Sequence, residues 1–470
     1  MQRPAFLDRF LTHPAERPAL RWQGRTSTYG QLRALGERTA GWLREQGVGP
    51  GDRVGIQLDN GPELVAAHLG CMALGAVRVP LNRHYRAAEL APILEDADLR
   101  LLITPVPEFA PGVRSAPAPG EGAPTGNWAG PTDVTAVLFT SGTTGRPKGA
   151  PQTWRMWESN LDALAERWEL GADDVLWLML PCFHTHGLVL GLHGTWLRGA
   201  CVQLEEHLRV EPPPAGITHV FGVPTYYRRW LPGMEAEPAR YAGVRLWVSG
   251  SDGLPAALSD AIHAALGRRV LERYGMTETV MITSNPGRGD RRAGSVGTAL
   301  RDTDVRVVDG EVQVRGPGVF GGYWPLPDPS AFTADGYFRT GDAGELDADG
   351  YLRIVGRKKD LVIVGGVNVA PAEVEAVLAG VTGVAMVGVC GVPDDDLGEV
   401  VAAAVVADGS LPEPEVRRAL ERAALGLSGL KRPRQVVFVE ALPRNALGKL
   451  QRSRLAAEVF ANPGCINRAK

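Results

Sequence analysis

No run of about 20 apolar residues occurs in this chain, so no segment reads as a membrane-spanning helix. The two most apolar stretches stop short of one: residues 63–81 carry His68, Arg78 and Pro80, and residues 374–392 are broken by four glycines. Cysteine is scarce. The five present (Cys71, Cys182, Cys201, Cys390 and Cys465) form no CxxC pair and no metal-ligand spacing. That excludes a disulfide scaffold or a zinc site and suits a reducing, cytoplasmic setting. Neither sign of charge is in excess, since 50 Lys+Arg against 53 Asp+Glu leave a net charge of −3. A nucleic-acid binder needs a basic field, and the pairs Arg228-Arg229 and Arg291-Arg292 are too short to make one. Residues 1–8 already include Asp8 and lack an apolar core, so no signal peptide is expected.

What remains is an ordinary globular composition, 44% hydrophobic and 22% charged, in a chain of 470 residues. That length exceeds what one core usually organises, so two or more domains are expected. Strand-like and helix-like stretches alternate, which predicts an α/β architecture. Thr28 followed by Gln31 predicts a capping box opening a helix with Leu32, Leu35 and Leu43 on its apolar side. Residues 53–58 alternate like a strand, and a helix is expected from Pro62. The Pro-, Gly- and Ala-rich tract 111–130 reads as a mobile surface connection without structure of its own. The clearest boundary lies at Gly356-Arg357-Lys358-Lys359-Asp360. Beyond it, strands at 361–364, 384–392, 400–406 and 435–440 alternate with helices from Pro371 and Pro412, predicting a compact α/β lobe. The expected division is therefore 1–358 and 359–470.

The chemistry is concentrated in Leu138-Phe139-Thr140-Ser141-Gly142-Thr143-Thr144-Gly145-Arg146-Pro147-Lys148-Gly149. Apolar residues run into hydroxyls, glycines and a lysine, the pattern of a buried strand feeding a loop whose donors face a phosphate. It is not a Walker A loop, because Pro147 stands where that motif needs Gly and Gly149 where it needs Ser or Thr. The segment resembles the phosphate-binding loop of the adenylate-forming ligases, the family of acyl-CoA synthetases, firefly luciferase and the adenylation domains of peptide synthetases. The resemblance extends, in order, from Thr140 to Lys449. It implies a large multi-layered N-terminal α/β domain and a small mobile C-terminal α/β domain, with ATP, Mg²⁺ and coenzyme A taking part.

The same resemblance distributes roles. Thr140, Ser141, Gly142, Thr143, Thr144 and Lys148 would hold the ATP phosphates, and Thr140 with Glu278 the metal. Ser249, Gly250 and Ser251 end a strand against which adenine would lie, although Asp252-Gly253 follows where the family often has Ala-Pro. In Arg273-Tyr274-Gly275-Met276-Thr277-Glu278, Tyr274 would stack on adenine, Thr277 would reach the α-phosphate and Glu278 would hold Mg²⁺. Asp342 would take both ribose hydroxyls, Arg357 would add a nucleotide contact, and Lys359 would be the hinge. Gly365-Gly366 would line the pantetheine path, and Lys449 in Pro443-Arg444-Asn445-Ala446-Leu447-Gly448-Lys449 would be the catalytic lysine.

Several segments look closer to malonyl-CoA and methylmalonyl-CoA synthetases than to the family at large. Arg273 carries the physical content, because a buried arginine near an acyl pocket needs an anion and a dicarboxylate supplies one. An internal ion pair with Glu272 or another acid is the alternative for that side chain. His184, Thr185, Arg229, Ser251, Met281 and Arg292 complete the candidate acid pocket. The expected partners are a small carboxylic acid, ATP and CoA, without nucleic acid. A carrier protein as acceptor is less favoured because no carrier domain is fused. A fatty-acyl-CoA ligase, a carrier-loading adenylation enzyme and an inactive nucleotide-binding protein are the other readings.

Overall fold

The computed structural model describes residues 3–126, 128, 133–140, 146–365, 367–444 and 450–460, with the backbone alone at Lys359 and Asn368. The chain divides into two compact units. The first comprises Met1–Arg306, Gln313–Arg339 and Asp347–Leu352, and the second comprises Val307–Val312, Thr340–Leu346 and Arg353–Lys470. The division thus runs through the strands Asp304–Val308, Glu311–Arg315 and Phe338–Leu346, upstream of the basic run at 357–359.

Two sheets organise the first unit. A six-stranded sheet has the order Ser115–Ala116, Leu101–Ile103, Arg53–Ile56, Val77–Pro80, Val134–Thr140, Lys148–Thr153, and its pairs are parallel except the last. A nine-stranded sheet has parallel strands Leu271–Tyr274, Leu246–Ser249, His219–Gly222, Val175–Leu178, Cys201–Leu204 and Pro18–Trp22 side by side, with antiparallel additions at both edges. The central parallel strands Val175–Leu178, His219–Gly222 and Leu246–Ser249 are buried on both faces and read accordingly as mainly apolar runs. Helix Pro62–Leu74 is buried from Leu64 onward on every side, as its lack of amphipathic pattern requires. Helix Tyr29–Glu45 opens with the capping box expected at Thr28 and Gln31: each side chain accepts from the other's backbone amide, at 3.3 and 2.9 Å.

The tract 111–130 departs from expectation. Ser115–Ala116 adds a parallel strand to Leu101–Ile103, and the Gly122 amide donates to the Arg38 carbonyl at 3.0 Å. Strand pairing needs only backbone, and Gly41 lets the tract come so close to helix Tyr29–Glu45 that a Cβ there would stand 2.0 Å from the Ala123 carbonyl oxygen. Small residues here serve close packing.

In the second unit, Val367–Val369, Val362–Val364, Gly398–Ala407 and Val384–Asp394 form an antiparallel sheet, and Gln435–Phe438 adds in parallel to Gly398–Ala407. Helices Pro371–Ala379 and Glu413–Ala424 cover one face through Val374, Leu378, Val416 and Leu420. Leu442, Leu455 and Phe460 cover the other.

Candidate active site

Ser249 and Tyr274 end neighbouring parallel strands, and residues 181–186 follow the strand Val175–Leu178. All therefore emerge at the carboxyl ends of one parallel sheet, where open α/β sheets bind their ligands. The phosphate-loop candidates come from the other sheet. Thr140 pairs with Lys148 in register, so the two ends of the loop meet, and the Thr140 hydroxyl donates to the Lys148 carbonyl at 3.4 Å. Ser141, Gly142, Thr143 and Thr144 lie outside the described residues.

Lys148 is tied to the Glu278 loop through a side chain the sequence reading had passed over. Its ammonium lies 3.0 Å from Asp328 Oδ2 and 4.9 Å from the centre of the Tyr323 ring. The Tyr323 hydroxyl in turn donates to Glu278 Oε1 at 2.8 Å. Glu278 is buried, and its carbonyl accepts from the Phe320 amide at 2.8 Å. Gln152 is a second connector. Its Nε2 donates to the Thr277 carbonyl at 2.7 Å and reaches Thr185 Oγ1 at 3.4 Å, while its Oε1 accepts from Trp157 Nε1 at 2.7 Å. A period-two reading of Lys148–Thr153 would have placed Gln152 on the face of Lys148 and Ala150.

Around Arg273 the structure gathers polar atoms that no group among the described residues satisfies. The side chain is 4% exposed, and both Nε and Nη2 are buried without a hydrogen-bond partner. Burial pushes its pKa down to about 9. Ser249 Oγ, His184 Nε2 and His186 Nε2 are likewise buried and unpartnered, and Ser251 Oγ stands 3.3 Å from His186 Nδ1. Burial lowers His184 to about 4, and burial followed by the charge of Arg273 holds His186 well below the usual imidazole range. Both imidazoles are therefore neutral at pH 7. Gly250 makes room for the guanidinium, since a Cβ there would stand 2.2 Å from Arg273 Cζ. Met281 closes over Gly275, its methyl 2.7 Å from where a Cβ would be. Val280 beside it holds φ at 56°, a left-handed conformation that a β-branched residue rarely adopts and that marks a locally strained loop.

Glu272 does not pair with Arg273. Adjacent residues of a strand point to opposite faces, and Glu272 is buried on its own side, where desolvation raises its pKa to about 7 against the pull of the Gly294 and Leu254 amides. Two further candidates stand apart from the cluster. Arg229 is exposed on helix Pro224–Ala236. Arg292 bridges Asp347 and Asp349 at 2.7 Å each, with its guanidinium 3.9 Å from the Tyr351 ring centre. Carboxylates already satisfy it.

In the second unit Arg357 Nε donates to Asp342 Oδ1 at 2.8 Å and Nη1 to the Thr340 carbonyl at 3.1 Å, while the Asp342 amide donates to Thr340 Oγ1 at 3.1 Å. The carboxylate is buried and oriented, as a receptor for a pair of hydroxyls must be. Gly365 turns at φ 56° between Val362–Val364 and Val367–Val369. Gly366, Lys449 and the side chain of Lys359 lie outside the described residues.

Residues 7–324 match the family described as AMP-binding enzyme, and residues 373–449 match the AMP-binding enzyme C-terminal domain. The chain belongs to the AMP-binding enzyme family. It is an acid–thiol ligase of the adenylate-forming kind, with ATP and CoA as co-substrates. Among relatives, malonate–CoA ligase of Arabidopsis thaliana is 32% identical over 94% of this chain and 86% of its own. Long-chain-fatty-acid–CoA ligase FadD13 of Mycobacterium tuberculosis is also 32% identical, over 92% and 93%. The crystal structure of ATP-bound MatB from Rhodopseudomonas palustris superposes with a TM-score of 0.90 at 35% identity, covering 97% of this chain and 99% of that one. Among the described residues no helix is long and apolar enough to cross a membrane.

Proposed function

We propose that this ligase activates malonate or methylmalonate. A carboxylate oxygen of the acid attacks the α-phosphorus of ATP, giving the acyl-adenylate and pyrophosphate. The sulfur of CoA then attacks the acyl carbon, its proton leaves, and AMP departs with the bridging oxygen. The observation that carries the substrate is the orphaned edge of Arg273. Nε and Nη2 form one side of the guanidinium, the parallel donor pair that a carboxylate accepts bidentately. A diacid brings a second carboxylate to that edge, and Ser249, Ser251 and His186 supply further polar atoms around it. A fatty acid would leave the edge unpaired, which sets this pocket against the reading suggested by the equally similar FadD13.

Positioning and charge stabilisation carry the first step. We assign Thr277 to the α-phosphate, Lys148 and the 140–144 loop to the outer phosphates, Tyr274 to adenine and Asp342 with Arg357 to the ribose. A hard cation suits the carboxylate of Glu278 and the hydroxyl of Thr140, and the buried, oriented Glu278 fits Mg²⁺. Bound there, Mg²⁺ would neutralise phosphate charge. The domain boundary is proposed at 358/359, with Lys359 the pivot of a lobe that carries Lys449 for adenylation and Gly365-Gly366 for the thiol step.

Pyrophosphate release and thioester formation across a panel of acids, with CoA and with a carrier protein as acceptors, test the reading. Malonate or methylmalonate should exceed butyrate by about a hundredfold or more in kcat/KM, because truncating a buried charge pair costs several kcal/mol and each ~1.4 is tenfold. Arg273→Met should abolish that preference, leave ATP binding intact, and make the fold more resistant to urea by removing an unpaired buried cation. Equal rates for butyrate and malonate would refute the diacid assignment.

A further inference from the structure

The segment 320–328 touches the phosphate-loop strand and the Glu278 loop through six contacts. The Phe320 amide donates to the Glu278 carbonyl at 2.8 Å, and the Tyr323 hydroxyl donates to the Glu278 carboxylate at 2.8 Å. Trp324 exchanges two backbone hydrogen bonds with Gly149, its amide donating at 2.9 Å and its carbonyl accepting at 3.1 Å. Lys148 is held between the Asp328 carboxylate at 3.0 Å and the face of the Tyr323 ring at 4.9 Å. A Cβ at Gly149 would stand 2.8 Å from the Trp324 carbonyl oxygen, so this approach depends on glycine. One short stretch thus brackets the two elements that must act on one triphosphate.

Tyr323 is the centre of the bracket. One side chain uses its hydroxyl on an acid and its ring face on a base, so the spacing between Glu278 and Lys148 is set by a rigid aromatic. We propose that Tyr323 is a positioning residue: its hydroxyl fixes the Glu278 carboxylate in the orientation that receives a divalent cation, and its ring seats the Lys148 ammonium beside it. Asp328 completes the seat of Lys148, and its other oxygen accepts from the amide and hydroxyl of Ser330. The two functions are therefore separable by mutation. Loss of the phenol should act on the metal, and loss of the Asp328 charge should act on the nucleotide phosphates.

This inference rests on Glu278 being the metal carboxylate of the proposed reaction, and its test reads the metal directly. In Tyr323→Phe the ring and the seat of Lys148 remain while the hydrogen bond to a charged acceptor is lost. The Mg²⁺ concentration for half-maximal pyrophosphate release should rise about tenfold or more, the size expected for a hydrogen bond to a charged group. The KM for the acid should stay within about twofold. Independently of turnover, the paramagnetic resonance signal of free Mn²⁺, titrated into protein plus ATP with no acid present, should show weaker retention of the metal by Tyr323→Phe. Asp328→Asn should instead weaken ATP binding and leave the metal dependence in place. Unchanged Mn²⁺ retention in Tyr323→Phe, or identical effects of the two variants, would overturn the assignment. Unfolding midpoints in urea identify a variant that merely fails to fold, and Asp328→Asn then decides: a shift of the metal dependence there overturns the separation. If the unmodified protein activates no acid, the proposed function fails, yet the Mn²⁺ titration still decides the role of Tyr323.

Discussion

Gly250→Ala isolates the geometry of Arg273 from everything else in the site. Gly250 is not in the left-handed region, so alanine meets no backbone obstacle and the substitution tests space alone. The added Cβ would stand 2.2 Å from Arg273 Cζ, 2.4 Å from Nη1 and 2.6 Å from Nε. Carbon atoms in contact sit at about 3.5–4.0 Å, so the guanidinium must retreat by roughly 1 Å or more. It has little room to do so, buried with Tyr227 and His186 close enough for its charge to act on both. Overpacking of this kind costs about 1–3 kcal/mol of stability. The cost in rate is larger where the displaced group positions a substrate, since a misplacement of about 1 Å can cost roughly a hundredfold. Continuous pyrophosphate release with malonate should therefore show kcat/KM falling about a hundredfold, while ATP affinity from equilibrium binding stays unchanged. If Gly250 serves the adenine ring, as the family resemblance implies, ATP affinity falls instead. Loss of ATP binding, or undiminished malonate turnover, would refute the reasoning.

Lys449→Ala should abolish adenylate formation while sparing thioester formation from a supplied acyl-adenylate, and equal loss of both half-reactions would sink the division of labour proposed for the lobe. Glu272 gives a pH dependence of stability. Its pKa in the fold is raised to about 7 from 4.5, so the native state binds more protons than the unfolded chain between those values. Stability should therefore fall as pH rises from about 4.5 to about 7, and the cost, on the order of a few kcal/mol, should persist above that range. Glu272→Gln should flatten this part of the profile in urea unfolding, and an unaltered slope would show that another group is responsible.

The α/β order, the capping box at Thr28 and the strands and helices between residues 361 and 440 were legible because each is written in local periodicity or in residues three apart. The family was legible because residues 138–149 are unusual in composition over twelve consecutive positions. Gln152, Tyr323 and Asp328 were not, for a definite reason. Their partners Thr277, Glu278 and Lys148 lie 125, 45 and 180 residues away, and no local pattern encodes such distances. Direction was equally hidden. Arg273 and Arg292 look alike as letters, yet one sits in a buried strand and the other beside two aspartates on the surface. The packing role of two glycines was also hidden. Gly149 and Gly250 sit in motifs that suggest phosphate and adenine, and their missing Cβ atoms also make space for the Trp324 carbonyl and the Arg273 guanidinium.

A second arginine in the same unit shows why burial alone would not have singled out Arg273. Arg78 is completely buried, its pKa is also pushed down to about 9, and no carboxylate pairs with it among the described residues. Every arm of Arg78 is nevertheless used. Nε donates to the Thr135 carbonyl at 3.1 Å, Nη2 to the Thr135 hydroxyl, and Nη1 meets His193 Nε2 at 3.0 Å, while the rings of Trp157 and Trp154 lie 4.8 and 5.4 Å away. With its donors satisfied and its charge set against two π faces, Arg78 is held by the fold itself. Arg273 carries the same desolvation without that compensation, and the two idle donors lie along one edge beside Ser249, Ser251 and two neutral histidines. An uncompensated buried cation costs stability, and a bound anion would offset that cost. The difference between these two arginines, equal in burial and opposite in satisfaction among the described residues, is the ground on which we propose that the Arg273 pocket receives a second carboxylate.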